Sequence, residues 1–257
     1  MLPKARSSQA KRGKAVRSPK HVEVLDAETT RSIEAIRSAL LEWFGRHARD
    51  FLWRRAGADE YVLVVSEVLL QRTQARTVNG FLPGFLQRYP TWIRLARARR
   101  STLENALRPL GLWRRRAEVL KALAMERVRL KAFPVGRSEL EMLPGVGQYV
   151  ANAIEVHVHG RQKPLLDASM ARVLERCFSA RRLVDIRFDP WLQALSQALV
   201  SDRNSIAISW AILDLAALVC RIRTPLCWEC PLRTNCNFGQ AQIGMNTAFF
   251  ECSVSSQ

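Results

Sequence analysis

The sequence predicts an all-α protein, and three observations support this fold class. Apolar residues recur three and four positions apart through most of the chain, which is the spacing of amphipathic helices. The strict apolar and polar alternation that is typical of β-strands is nearly absent. The 257 residues, 48% of them hydrophobic, can fill the core of one large or two small domains.

The first half of the chain is expected to form several short helices. Residues 27–49 predict an amphipathic helix, and FLWRRAGADE after them is typical of a loop. The stretch YVLVVSEVLLQRTQARTVNGFLPGFLQRY predicts one strongly apolar helix and a second that begins after the Asn79-Gly80 break. Two or three further short helices are expected over residues 91–130.

Glycine and proline divide the second half. RSELEMLP predicts a short helix that stops at Pro144, because proline cannot extend a helix. Gly145 and Gly147 then form a turn into a helix over QYVANAIEVHV. Bare N–H groups at such a helix N-terminus can bind an anion, although an ordinary helix-helix corner explains the turn equally well. After Pro164, three more helices are expected in DASMARVLERCF, DPWLQALSQALV and SIAISWAILDLAALVC, which makes about ten in all.

The chain is strongly basic, with a formal net charge of +17. The first 20 residues hold seven basic side chains and no acid, so we expect a disordered tail that binds nucleic acid. The tail lacks the apolar centre of a signal peptide, although its composition also allows a transit peptide. The charge of about +10 on the remaining chain indicates a polyanionic partner. No apolar run is long enough for a membrane span.

Four of the six cysteines lie in one short segment, CRIRTPLCWECPLRTNC. This clustering favours metal binding over disulfides, and hence a reducing, intracellular compartment. A compact run with one close pair suits an iron-sulfur cluster better than zinc, although the spacing alone leaves zinc open. Arginines around the loop would present positive charge to a phosphate backbone. In the alternative, the metal site has only a structural role and its arginines are solvated. The cysteines are Cys220, Cys227, Cys230 and Cys236, and the arginines are Arg221, Arg223 and Arg233.

Two carboxylates are candidate catalytic groups. Glu67 is the only charge in an apolar helix, where burial would raise its pKa toward that of a general acid or base. The alternative is that Glu67 has no catalytic role and lies on a polar stripe of the helix with Ser66 and Gln71. Asp167 precedes a helix as an N-cap, which is a sufficient structural reason for it. The helix N-terminus would also keep this carboxylate ionised, so that it could stabilise a developing oxocarbenium ion.

With LPGVG, the aspartate and the four-cysteine run, the chain resembles the helix-hairpin-helix DNA glycosylases of the endonuclease III superfamily over residues 30–238. The resemblance implies a [4Fe-4S] cluster on the C-x6-C-x2-C-x5-C run. It also implies a hairpin whose backbone holds a DNA phosphate, often with a monovalent cation. The hairpin residues are Leu143, Gly145, Val146 and Gly147. Bifunctional members carry a lysine nucleophile where this sequence has Tyr149, so the resemblance implies a monofunctional enzyme with Asp167 supporting water and the sugar cation.

The resemblance leaves the target base open between two branches. SEVLLQRTQARTV and FLWR, with Trp53 and Arg54 expected near the base, are similar to the adenine glycosylase MutY. LGLWRRRAEVLKALA and Ala168 are closer to the thymine mismatch glycosylases. The few residues after Cys236 are too short for the domain with which MutY reads oxidised guanine. We therefore expect excision of thymine or uracil opposite guanine, where Glu67 orients the pyrimidine or water, with adenine excision opposite guanine or 8-oxoguanine as the alternative.

The implied architecture has two helical domains with a DNA-binding cleft between them. Residues 55–161 would form a six-helix barrel with the hairpin. Residues 25–54 and 162–238 would form the cluster domain, flanked by tails at 1–24 and 239–257. The cleft would receive a flipped nucleotide, and Gln71 or Arg72 would fill the gap in the stack. We expect a monomer that binds mispaired or damaged duplex DNA, in the cytoplasmic nucleoid if the source is bacterial. The alternative of another class is a non-catalytic module that binds distorted DNA.

Overall fold

The computed structural model describes residues 23–242, and this part of the chain forms eleven complete α-helices, a further helical segment at 237–242 and no β-strand. The all-α fold predicted from the sequence is therefore confirmed. Most of the two predicted tails, residues 1–22 and 243–257, lies outside the described residues. Within residues 23–242 every helix is too short or too polar to cross a membrane. The helices are α1 (Ala27–His47), α2 (Glu60–Leu70), α3 (Ala75–Arg88), α4 (Trp92–Ala96), α5 (Arg100–Leu107), α6 (Trp113–Leu130), α7 (Arg137–Glu141), α8 (Gln148–His157), α9 (Ala168–Cys177), α10 (Pro190–Val200) and α11 (Ser205–Leu218).

Aspartate side chains begin several of these helices. The Asp26 carboxylate accepts a hydrogen bond from the Thr29 backbone N–H at 2.7 Å, at the start of α1. Asp59 accepts from Val62 in the same way before α2. Each cap satisfies an N–H group that has no partner within the helix.

The break between α2 and α3 lies earlier than the sequence suggested, and the prediction of a break at Asn79-Gly80 is wrong. The chain leaves α2 after Leu70 through Arg72, whose φ of 58° is a left-handed conformation that ends the helix. Asn79 and Gly80 lie inside α3. The Asn79 side-chain oxygen instead accepts a hydrogen bond from the Leu52 N–H at 2.9 Å, so this residue serves a tertiary contact and not a turn.

The described helices pack around two hydrophobic cores. The first core is formed by α2 to α8, where α4 and α5 pack on α6 and α2 packs on α8. The second is formed by α1, α9, α10 and α11. Phe51 and Trp53 belong to the first core, although they precede residue 55, where the sequence places the domain boundary. The boundaries themselves stay predictions.

A buried ion pair joins the two cores. Asp214 on α11 is fully buried, and its two carboxylate oxygens lie 2.7 Å and 2.8 Å from the guanidinium groups of Arg49 and Arg54. Arg54 lies in the short 3-10 turn Leu52–Arg54, which enters the first core. The two arginines together compensate the charge of this buried carboxylate, which would cost roughly 3 to 5 kcal/mol if it were left without a partner.

Candidate active site

Glu67 lies on the buried face of α2. Its residue is 3% exposed, and the neighbouring Ser66 is fully buried and donates to the Val62 carbonyl at 2.7 Å. Gln71 is exposed beyond the end of the helix. The interpretation of Glu67 as part of a solvated polar stripe is therefore wrong, because the stripe does not exist.

Tyr149 connects Glu67 to the start of α8. Its hydroxyl donates a hydrogen bond to Glu67 Oε2 at 2.9 Å. Burial raises the pKa of Tyr149 well above its usual value, the charges of Glu67 and Asp167 raise it further, and Arg54 opposes them. Tyr149 is thus a neutral donor between two carboxylates, so the three predicted catalytic residues lie in one place.

Asp167 is the N-cap of α9, as the sequence predicted. Its Oδ1 accepts hydrogen bonds from the backbone N–H groups of Ser169 and Met170, both at 2.8 Å. Burial raises its pKa above the usual aspartate value, although these two hydrogen bonds and the charge of Arg172 oppose the shift. The hydrogen bonds at the helix terminus favour the ionised form of Asp167, and burial opposes them with the larger effect on its pKa.

Sequence reasoning missed His157, the last residue of α8. Its Nε2 lies 3.5 Å from Glu67 Oε1, and its ring stacks on Trp210 of α11 with centroids 6.3 Å apart. Two helical turns separate it from Tyr149, so both residues lie on one face of α8, which is the signal that could have found it.

The two residues expected near the base lie close to this site. Arg54 packs its guanidinium over the Trp210 ring at 5.2 Å. Trp53 is 3% exposed and stacks on Phe51 with ring centroids 4.7 Å apart. The Trp53 side chain is thus part of the first core, and the role of both residues in a base pocket stays a prediction.

The predicted hairpin is formed by α7, a turn and α8. Leu143 and Val146 are buried, so only their backbone groups can contact a ligand, whereas Gly145 and Gly147 are exposed. No side chain caps the N-terminus of α8 at Gly147. The free N–H groups of the first turn therefore face outward without a partner from the cap residue.

Both the packing around position 145 and its backbone conformation require glycine there. Its φ is 74°, and a Cβ at this position would overlap Cγ1 of Val119 on α6. We expect Gly145→Ala to reduce the free energy of unfolding by about 2 to 4 kcal/mol, measured by chemical denaturation, because strain and overpacking both add. Adding Val119→Ala should remove the overpacking part only.

Gly147→Ala is the matched control for this change. The φ of Gly147 is −91°, and a Cβ there would meet nothing within 4 Å, so its effect should stay within about 1 kcal/mol. Equal destabilisation by the two alanine variants would contradict the packing argument.

A basic cleft of about 670 Å³, counting its open mouth, adjoins the hairpin. Its walls include the two predicted wedge residues and Leu112, which sequence reasoning missed. Leu112 is 52% exposed and has a φ of 49°, a conformation that is rare for a leucine. Beneath it, Arg116 donates to the carbonyls of Leu69 and Gln71 at 3.1 Å and 2.8 Å and so fixes the end of α2. The lining residues are Val68, Gln71, Arg72, Leu112, Arg115, Arg116 and Val119.

All four cysteines of the run line one open pocket of about 290 Å³, counting its mouth, at the far end of α9. Arg176 on α9 donates to Cys220 Sγ at 3.2 Å and to the carbonyls of Arg221 and Ile222. Within residues 23–242, no three His, Cys, Asp or Glu side chains meet closely enough to hold a single metal ion. Arg221 and Arg223 are exposed on the loop. One helix thus carries Asp167 at its start and supports the cysteine loop at its end.

Residues 65–185 match the family described as HhH-GPD superfamily base excision DNA repair protein. The chain is 36% identical over 210 residues to a thymine-DNA glycosylase of Aeropyrum pernix, which covers 79% of this chain and 94% of that protein. An adenine DNA glycosylase of Homo sapiens is 32% identical over 224 residues, 81% of this chain and 40% of that protein. A solved thermostable thymine-DNA glycosylase has a TM-score of 0.76 at 27% identity, over 83% of this chain and 99% of that chain. With a hairpin, two carboxylates and these relatives, the chain belongs to the HhH-GPD superfamily of base excision DNA repair proteins.

Proposed function

We propose that the protein is a monofunctional DNA glycosylase that hydrolyses the N-glycosidic bond of thymine or uracil opposite guanine. The observation that carries the proposal is the hydrogen bond from Tyr149 to Glu67 beside Asp167. A phenol and two carboxylates can orient water and stabilise a sugar cation, but they cannot form a Schiff base.

The positions of the lysines in the described part of the chain favour hydrolysis without strand cleavage. Lys121 donates to the Ala98 carbonyl, and Lys131 ends α6. Lys163 lowers the pKa of Glu155, so its charge acts near a different carboxylate. The position in contact with Glu67 is therefore taken by the phenol of Tyr149 and not by an amine.

The proposed reaction assigns separate roles to the two carboxylates. The bond from the sugar carbon C1′ to the base nitrogen breaks, and the base leaves with the electron pair. Asp167 stabilises the resulting oxocarbenium ion, water adds its oxygen to C1′, and Asp167 accepts the proton that water loses. The raised pKa of Asp167 makes it a stronger base for this proton transfer. Glu67 and Tyr149 orient the pyrimidine edge.

The thymine or uracil assignment is supported by the Aeropyrum pernix relative, which is named for thymine and matches over nearly its whole length. The human relative supports adenine excision as the second candidate.

A single-turnover assay on duplexes that differ in one base pair tests the proposal. The pairs are T·G, U·G, A·G, A opposite 8-oxoguanine and thymine glycol opposite A, each analysed with and without alkali. We expect release of T and U opposite G, with strand breaks only after alkali. Release of adenine alone would favour the second candidate. Binding without release from any duplex would favour a non-catalytic DNA-binding module.

For DNA binding, we propose that the N-terminus of α8 holds a backbone phosphate, with a monovalent cation on the hairpin carbonyls. Gln71, Arg72 and Leu112 would fill the stack where the base leaves, because they border one cleft next to the hairpin. Hairpin, cleft and carboxylates all come from one chain, so we expect a monomer to act alone.

Substitution of Gly147 tests the phosphate contact. Gly147→Asp should weaken binding to matched and mispaired duplexes alike by about tenfold or more, because it opposes a phosphate with a carboxylate. Gly147→Asn is the matched control, since asparagine caps a helix as well as aspartate and carries no charge. Affinities are measured by fluorescence anisotropy. Equal affinities of the two variants, or a loss confined to one mispair, would contradict the assignment.

We also propose that the four cysteines hold a [4Fe-4S] cluster. Four thiols around one open pocket are the donor set that this cluster requires. The cluster would fix the exposed loop that carries Arg221 and Arg223 and so present positive charge to the DNA backbone.

A further inference from the structure

We infer that His157 is a positioning residue that holds Glu67 as a hydrogen-bond acceptor and so directs the site toward pyrimidines. The inference rests on the proposed glycosylase function, which it deepens by assigning a basis for base selection. It concerns a residue that contacts Glu67 and not the substrate itself.

The contact geometry gives each oxygen of Glu67 its own neighbour from α8. Tyr149 donates to Oε2 at 2.9 Å, and His157 Nε2 lies 3.5 Å from Oε1. The His157 side chain is 3% exposed, and its Nε2 has no hydrogen-bond partner among the described residues. A buried polar atom without a partner is costly, and a shift of less than about 1 Å would give Nε2 a hydrogen bond to Glu67.

Of the groups around His157, Glu67 is the hydrogen-bond acceptor available to its Nε2 atom. Trp210 on α11 stacks on the ring and offers no acceptor. Asp214, further along α11, is already paired with Arg49 and Arg54.

Two other carboxylates near α8 have their own partners. On α8 itself, Glu155 is paired with Arg137 of α7 and with Arg161. Asp167 is bound by the backbone of α9 and is influenced by Arg172. Within residues 23–242, no arginine or lysine pairs with Glu67, so His157 is the one basic side chain within 4 Å of it.

The two contacts of Glu67 affect which base the site can release. A carboxyl group that donates a proton must carry it on one of its oxygens, and a hydrogen-bond donor facing each oxygen of Glu67 leaves no favourable place for that proton. The same carboxylate can accept a hydrogen bond from the N3–H of thymine or uracil, or from water. His157 and Tyr149 together therefore favour pyrimidine excision.

Nitrogen NMR of the DNA-free protein tests the contact without any activity. The chain has four histidines, and the His157 signal is assigned by its loss in His157→Gln. Two-bond correlations from the ring carbon protons show which nitrogen carries a proton. We expect the proton on Nε2, facing Glu67. A bare Nε2 with the proton on Nδ1 would overturn the inference, even if the protein proves to release no base.

Kinetics of two variants separate positioning from simple packing. His157→Leu removes the donor and should lower uracil release about tenfold or more. His157→Gln keeps a neutral donor and should retain most of the rate. The ratio of adenine to uracil release should rise in His157→Leu alone. Equal losses in both variants, with the same ratio of adenine to uracil release, would overturn the inference.

Discussion

Asp167→Asn is expected to lower the single-turnover rate of base release by about a thousandfold or more. Asparagine cannot accept the proton from water and does not carry the charge that stabilises the sugar cation. It is nearly the same shape, and its side-chain oxygen can accept the same hydrogen bonds from Ser169 and Met170. Duplex affinity, measured by fluorescence anisotropy, should therefore stay close to that of the unmodified protein.

The same substitution should raise the thermal stability at neutral pH. Burial raises the pKa of Asp167 in the folded state, so folding disfavours its ionised form. This cost is absent below the unfolded-state pKa and fully present above the folded-state pKa. The gain in Tm for Asp167→Asn should thus appear at neutral pH and disappear as the pH falls below the unfolded value.

Asp26→Asn is the matched control, because Asp26 is also a helix N-cap. The backbone N–H of Thr29 lowers its pKa, so the sign is reversed and stability should stay equal or fall slightly at neutral pH. Base release should not change. Loss of Tm in Asp167→Asn, or retained release, would contradict the role of Asp167.

Cys227→Ala is expected to remove nearly all of the roughly four iron atoms per chain that a [4Fe-4S] cluster contains. Protein purified without oxygen should lose its broad visible absorbance, and iron analysis gives the count. Duplex affinity should also fall, because the loop with Arg221 and Arg223 would no longer be fixed.

Cys177→Ala is the control for this experiment. Cys177 is buried next to Cys236 but lies outside the four-cysteine run. We expect this variant to keep its iron. Iron retained in Cys227→Ala, or lost equally in both variants, would show that the cluster assignment is wrong.

Local signals in the sequence predicted most of the fold. Amphipathic spacing located the helices, and Asp167 was recognised as a cap because capping depends on its nearest neighbours along the chain. Asn79-Gly80 was misread, since a tertiary hydrogen bond to the Leu52 N–H overrides its turn preference.

The active site was only partly predictable, because its tertiary contacts leave no local signal in the sequence. Glu67, Tyr149 and Asp167 each had a local or motif signal. Their mutual contacts did not, and the effect of burial on the Asp167 pKa depends on helices distant in the chain. His157 was missed because its contact with Glu67 exists only when α2 packs on α8.

The contact between Gly145 and Val119 links two positions that the chain separates by a whole helix-turn unit. A side chain at position 145 overlaps the valine at position 119, so position 145 cannot become larger while Val119 is kept. Among orthologues of this protein, a residue larger than glycine at position 145 should therefore occur only with a smaller residue at position 119. Position 145 of the hairpin and position 119 of α6 would then change together in evolution. An engineered side chain at position 145 would need a smaller residue at position 119.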